Sequence, residues 1–197
     1  MKKLVFLFSI LAIMFAFPAL VSASDLSNSN YVTLFNGEQF DMVGLVMTEE
    51  VFGEDVVRIF TDENGIFIAL EVVPLQLMYA LNQYGYVGIV PLATGSTFFN
   101  HSVGDRHVGQ CSFRTELDFW ANNQGATFNR IWVTRTVHGG FAQYSRPINV
   151  HRSGFNAWAS FEYRFANQIR RDDHSYTVSF GGVVTIAQSN NNFVRHV

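Results

Sequence analysis

Lysine is nearly missing from the chain: Lys2 and Lys3 are the only two in 197 residues. Cysteine occurs once, so no intrachain disulfide can form and a disulfide-scaffold protein is excluded. Four prolines exclude a Pro-rich linker or a collagen-like chain. Charged residues make up 15% against 48% hydrophobic, too few charges and too many apolar groups for a disordered tail. There is no 20-to-50-residue repeat and no Gly-rich phosphate loop placed between a strand and a helix. What is present, including 20 phenylalanines, is the composition of a globular chain of about one domain.

The two lysines open a targeting segment. An apolar run from Leu4 to Phe17, broken only by Ser9, follows them; Pro18 then interrupts the helix, and Val21-Ser22-Ala23 supplies small residues. Positive start, apolar stretch and small-residue site come in the order of a signal peptide, which predicts cleavage after Ala23 and a secreted or periplasmic protein. Leu4 to Val21 reaches the length of about 18 residues at which a spanning helix becomes possible, but Pro18 and the small residues after it favour cleavage. No cysteine follows to carry a lipid anchor.

Charge divides the remainder. Residues 24–100 hold ten acids and one base, Arg58, for a net of −9. Residues 101–197 hold six acids, ten arginines and all six histidines, for a net of +4. The expected organisation is therefore a signal peptide (1–23), an acidic segment (24–100) and a basic β-rich segment (101–197), with 24–197 one compact unit.

Periodicity predicts a mainly β protein, an antiparallel sandwich or small barrel, with one short helix over 75–84. Short strands are expected at Tyr31–Phe35 and Val43–Met47. Val56–Thr61 and Ile66–Val73 read as a hairpin around Asn64-Gly65. Pro74 suits a first helical turn, Leu77, Leu81 and Tyr84 keep helical spacing, and Tyr86–Leu92 returns to extended structure. Residues 93–105 read as the softest stretch. Longer strands follow at about 108–120, 126–138, 141–150, 156–166 and 174–188, with turns at Asn122–Gly125, Gly139-Gly140, Ser153-Gly154 and Asp172-Asp173. Gly181-Gly182 suggests a bulge within the last strand, and 189–197 a loose tail. In the first long strand, Cys111, Phe113, Thr115, Leu117 and Phe119 alternate with polar partners, which places Cys111 inward as a small hydrophobe rather than a reactive thiol.

Strand faces give the candidate site. Ser112, Arg114, Glu116, Asp118 and Trp120 share one face. Trp132 falls with Phe128, Arg130, Thr134, Thr136 and His138, and Trp158 with Ser160, Glu162 and Arg164. All three tryptophans thus lie on charged sides of their strands. Flat rings beside Arg, Glu and Asp are the parts of a sugar-binding platform, and equally of a protein interface. The plainer alternative packs each indole under a loop or the N-terminal segment.

Other chemistry has less behind it. Glu116-Leu117-Asp118-Phe119 resembles the start of the Glu-x-Asp-x-x-Glu (or Glu-x-Asp-x-Glu) strand motif of laminarinase-like β-jelly-roll glycoside hydrolases. The resemblance implies Glu116 as nucleophile with Asp118 beside it. Trp120 and Ala121 stand where the motif's acid/base would be, whereas retaining hydrolysis needs two carboxyls about 5 Å apart. No catalytic residue is assigned. The histidines (His101, His107, His138, His151, His174, His196) show no His-x-His or His-Glu-x-x-His spacing, so no metal or other cofactor is implied. Arg170-Arg171 runs straight into two aspartates and the net charge is negative, which gives no footprint for nucleic acid.

The sequence therefore points to a secreted binding module that uses a Trp/Arg/acid face (Trp120, Trp132, Trp158, Arg114, Glu116, Asp118, Arg130, Glu162, Arg164) to meet a glycan, cell-envelope polymer or protein. A membrane-active or antibacterial precursor, its basic half masked by the acidic one, is the alternative. A glycoside hydrolase is the second.

Overall fold

A computed structural model describes residues 30–76, 95–105, 109–139, 144–165, 168–189 and 195–196. The strands in chain order are β1 (Tyr31–Thr33), β2 (Gln39–Asp41), β3 (Leu45–Phe52), β4 (Asp55–Asp62), β5 (Phe67–Pro74), β6 (Gly95–Asp105), β7 (Gly109–Asn122), β8 (Gly125–His138), β9 (Arg146–Ser153), β10 (Asn156–Phe165), β11 (Gln168–Val178), β12 (Val184–Ser189) and β13 (Arg195–His196). The helix expected over 75–84 falls, from residue 77 onward, outside the described residues, as does the extended stretch expected at 86–92.

All pairing is antiparallel. A six-stranded sheet runs β3-β4-β5-β8-β7-β6, and a second runs β12-β11-β10-β9, with β13 also on β11. Two meanders, β3–β5 and β6–β8, are joined where β5 pairs β8. The acidic segment thus supplies a strand to the middle of the sheet. One core lies between the sheets: Val72, Phe113, Leu117, Ile131 and Val133 from the first meet Ala157, Ala159, Phe161, Tyr163 and Tyr176 from the second. This is an open β-sandwich rather than a closed barrel.

Strand-period alternation sets the inner faces. β7 keeps the expected phase throughout, with Cys111, Phe113, Thr115, Leu117 and Phe119 buried. Burial also pushes the Cys111 thiol upward, away from the reactive thiolate. Iodoacetamide is expected to leave Cys111 unmodified in the native protein and to label it fully in denaturant, as followed by intact mass; rapid native labelling would contradict this packing.

Four expectations need correction. The 93–105 stretch is largely strand, since β6 pairs β7 from Gly95 to Asp105. Asp172 and Asp173 are not a turn but lie within β11, opposite Phe161 and Ser160. Gly181-Gly182 is not a bulge within one strand. It belongs to the turn between β11 and β12, where Gly182 has a φ of 74° and its N–H reaches the Ser179 carbonyl at 2.9 Å. The loose tail is wrong at Arg195 and His196, which pair with Ile169 and Gln168. The Asn64-Gly65 hairpin stands as read: Asp62 Oδ1 accepts the N–H groups of Asn64 and Ile66, and Gly65 takes a φ of 76°.

The outer face of the six-stranded sheet has its own cover. Leu34, with Val32, Phe40 and Met42 from the β1–β2 hairpin region, packs on Phe60, Ala69 and Trp132. Phe40, Phe60 and Trp132 meet edge to face at centroid distances of 4.9 to 5.7 Å. Under this cover lies a buried charge network. Glu71 Oε1 accepts from Arg130 Nε at 2.9 Å and from the Phe35 N–H at 2.8 Å, and Oε2 accepts from Arg58 at 3.3 Å. Arg130 also donates to Asp118 at 3.1 Å. Arg152 pairs with Asp55 at 2.6 Å. Both Glu71–Arg130 and Asp55–Arg152 join the acidic segment to the basic one.

Candidate functional site

The nine residues read as one face are divided between two. Arg114, Glu116, Asp118, Trp120, Arg130 and Trp132 point out of the six-stranded sheet, while Trp158, Glu162 and Arg164 point out of the other. These outer faces lie on opposite sides of the core, so a single three-tryptophan platform does not form. Alternation separates inside from outside along a strand but leaves open which sheet the strand enters.

Within the first group, several members are spent on structure. Trp132 is only 5% exposed and Arg130 only 1%, the former beneath the N-terminal hairpin, the latter between Glu71 and Asp118. Phe128, expected beside Trp132, faces the core instead. Register slips between Asp118 and Phe119, leaving Asn129 as the extra residue of a bulge that reverses the phase of β8. Trp120 is half-buried against Gly125, where an added Cβ would lie 3.2 Å from the ring. Glu116 pairs with Arg114 at 2.7 Å, and Asp118 is held by Arg130. Both carboxylates of the hydrolase-like motif are therefore ion-paired. Arg114 in turn sits 4.0 Å over the exposed Phe98 ring.

The second group forms a coherent surface. Register places His151, Trp158 and Ser175 in one row, Asn149, Ser160 and Asp173 in the next, and Arg146, Glu162 and Arg171 in the third. The Trp158 and His151 rings stack at 4.6 Å with 12° between their planes, and His151 Nδ1 lies 3.1 Å from Asn149 Oδ1. Trp158 is half-buried and His151 exposed. Glu162 is almost fully covered, yet its oxygens are held by the exposed side chains of Arg164 at 2.7 Å and Arg171 at 3.7 Å. A buried carboxylate thereby holds the Arg164 guanidinium by hydrogen bonds and draws that of Arg171 close by charge, and both keep further N–H donors for a ligand.

Against family models, curated proteins and solved structures, the chain finds no match. Its chemistry must be read from its own geometry.

β9 links this surface to a cleft of about 690 Å³, a size suited to a ligand. Val57 and Ile59 of β4, Leu70 of β5 and Ile148 and Val150 of β9 make it apolar; Glu50, Phe52, Glu54, Asn149 and His151 line its lips. Asp55 and Arg152 close one side as an ion pair. Burial raises the Asp55 carboxyl above its ordinary range despite the opposing Arg152 charge. The sequence carried only a faint sign of this cleft, the half-apolar alternation of β4. Its two walls lie far apart in the chain, and only the packing brings them together.

Sequence reasoning also missed a polar cluster between the sheets. His101 of β6 and His174 of β11 meet ring to ring in the core, with centroids 3.8 Å apart and planes tilted by 31°, and Tyr176 Oη lies 2.8 Å from His101 Nε2. Neither ring nitrogen of His174 has a hydrogen-bond partner. Desolvation lowers both imidazoles, that of His101 to about 3. They are neutral core residues at ordinary pH. Among the described residues, no group of three or more His, Cys, Asp or Glu is arranged to hold a metal.

Proposed function

We propose that this chain is a secreted binding protein that recognises a glycan or cell-envelope polymer on the outer face of its β9–β10–β11 sheet. The observation that carries this reading is the Trp158–His151 stack beside the Glu162-held pair of arginines. A pyranose offers a C–H face to such a ring and hydroxyls to Asn149, Ser160, Arg164 and Arg171. Export rests on the Lys2-Lys3, Leu4–Phe17 and Val21–Ala23 pattern. The pairing of β5 with β8 supports treating residues 24–197 as one working unit, because removing the acidic segment would strip β3, β4, β5 and the first half of β6 from the larger sheet.

The test is titration of the mature protein with a panel of polysaccharides and envelope extracts, read by tryptophan fluorescence and co-sedimentation. Trp158→Ala should weaken binding about tenfold, near 1.4 kcal/mol. Trp120→Phe, on the opposite face, serves as the control for a general loss of structure. Equal binding by Trp158→Ala and the parent protein, or no binding to any polymer, would overturn the reading.

A further inference from the structure

The two sheets differ in strand number, and the mismatch falls at the cleft. β9 ends the smaller sheet and packs over β5 and β8, in the middle of the larger one. The larger sheet continues past it through β4 to β3. Register assigns Thr48, Glu50 and Phe52 of β3 to the inner face, opposite Ile59, Val57 and Asp55. All three are exposed, Phe52 to 78%, and Val57 and Ile59 are only half-buried. Among the described residues, no strand lies beside β9 on its free edge.

A segment paired to the free edge of β9 would sit about 4.8 Å from it and about 10 Å above β4 and β3, the ordinary spacings within and between sheets. Alternate side chains would point down onto Val57, Ile59 and Phe52. Glu50 rises from that floor and Glu54 stands at its end, and neither has an ion-pair partner among the described residues. Neighbouring acids are already committed, Asp55 to Arg152 and Glu49 to Arg58. The uncommitted charge at the mouth is thus negative.

We propose that the cleft binds an extended polypeptide strand, added to the edge of β9, whose inward side chains are aliphatic over Val57 and Ile59 and basic at the end that meets Glu50 and Glu54. Backbone pairing along β9 supplies affinity without sequence, and Glu50 with Glu54 selects the charge. Asn149 and His151 border both the cleft and the outer face, but this proposal rests on the edge of β9 and on Glu50 and Glu54 rather than on the Trp158 ring.

The probe is the fluorescein-labelled heptapeptide Arg-Thr-Val-Thr-Val-Thr-Arg, followed by fluorescence polarisation on the full mature protein. It should bind with a Kd below about 1 mM and more weakly as salt rises. Replacing both peptide arginines by glutamate, or the middle threonine and the valine after it by proline, should abolish binding; neighbouring N–H groups face opposite edges, so the double proline removes a ladder N–H in either direction. Glu50→Gln with Glu54→Gln should weaken it at least about fivefold. Both sites are exposed, so an unchanged melting curve is expected. Equal binding of the glutamate or proline peptide, or indifference to the two substitutions, would overturn the proposal. So would a dimer in sedimentation that Phe52→Arg dissociates, since the occupant would then be a second copy. Trp158→Ala reports on the outer face and E50Q/E54Q on the cleft, so the two readings fail separately.

Discussion

Arg130→Met is expected to destabilise the fold by about 3–5 kcal/mol, because it leaves the fully buried carboxylate of Glu71 without its closest charged partner. Methionine keeps the packing beneath Trp132, so the loss reports on charge rather than on a cavity. Arg58, at 3.3 Å, still touches Glu71 but already pairs with Glu49. Adding Glu71→Leu to Arg130→Met should recover most of the loss, since a buried ion pair replaced by apolar groups of similar size is often close to neutral. The Phe35 N–H then loses its acceptor, which limits the recovery. Urea-denaturation midpoints on the single and double variants check both statements. A single variant within about 1 kcal/mol of the parent would show that the network is incidental.

Acid should destabilise the protein from about pH 6.5 downward. His101 and His174 both have folded pKa values below 6.5, so the unfolded chain takes up protons first. Their stabilising contribution is complete above 6.5 and is lost progressively towards the folded value of about 3 for His101. For His101 alone, the loss between neutrality and pH 5 is about 2 kcal/mol. Asp172 and Asp173 partly counter the effect at His174, while Tyr176 faces His101 as a neutral hydroxyl. Asp55 acts in the opposite sense, because burial raises its carboxyl and the folded protein binds that proton more readily than the unfolded chain does. His174→Phe keeps an aromatic ring against His101 and removes one of the two sites. Its urea midpoint should fall less steeply between pH 7 and pH 5 than the parent's. Parallel slopes would show that these imidazoles do not govern acid sensitivity.

How much of this was legible in the sequence depended on whether a strand's two faces differ. β7 could be read residue by residue because one side meets the core and the other carries Arg114, Glu116 and Asp118. β8 could not. Residues 128 to 133 are all buried, with core on one side and the N-terminal hairpin on the other, and the bulge at Asn129 reverses their phase. Gly181-Gly182 gave a correct signal of irregular backbone and the wrong kind of irregularity. Of the candidate site, Trp158, Glu162 and Arg164 stay together because they share one strand. Trp120 and Trp132 depart because periodicity carries no information about which sheet a strand joins. The His101–His174 pair and the β4–β9 cleft are long-range products of packing, and no local pattern announces either.

The join between β5 and β8 has a consequence for how the protein is made. Glu71 and Arg130 are 59 residues apart. At synthesis rates of about 5–20 residues per second, the carboxylate emerges several seconds before the guanidinium that neutralises it. Through that interval β3–β5 is a nascent meander with a raw apolar border and an acid it cannot yet bury. Until β8 arrives, the β5 edge of that meander stays open to pairing with any other strand it meets.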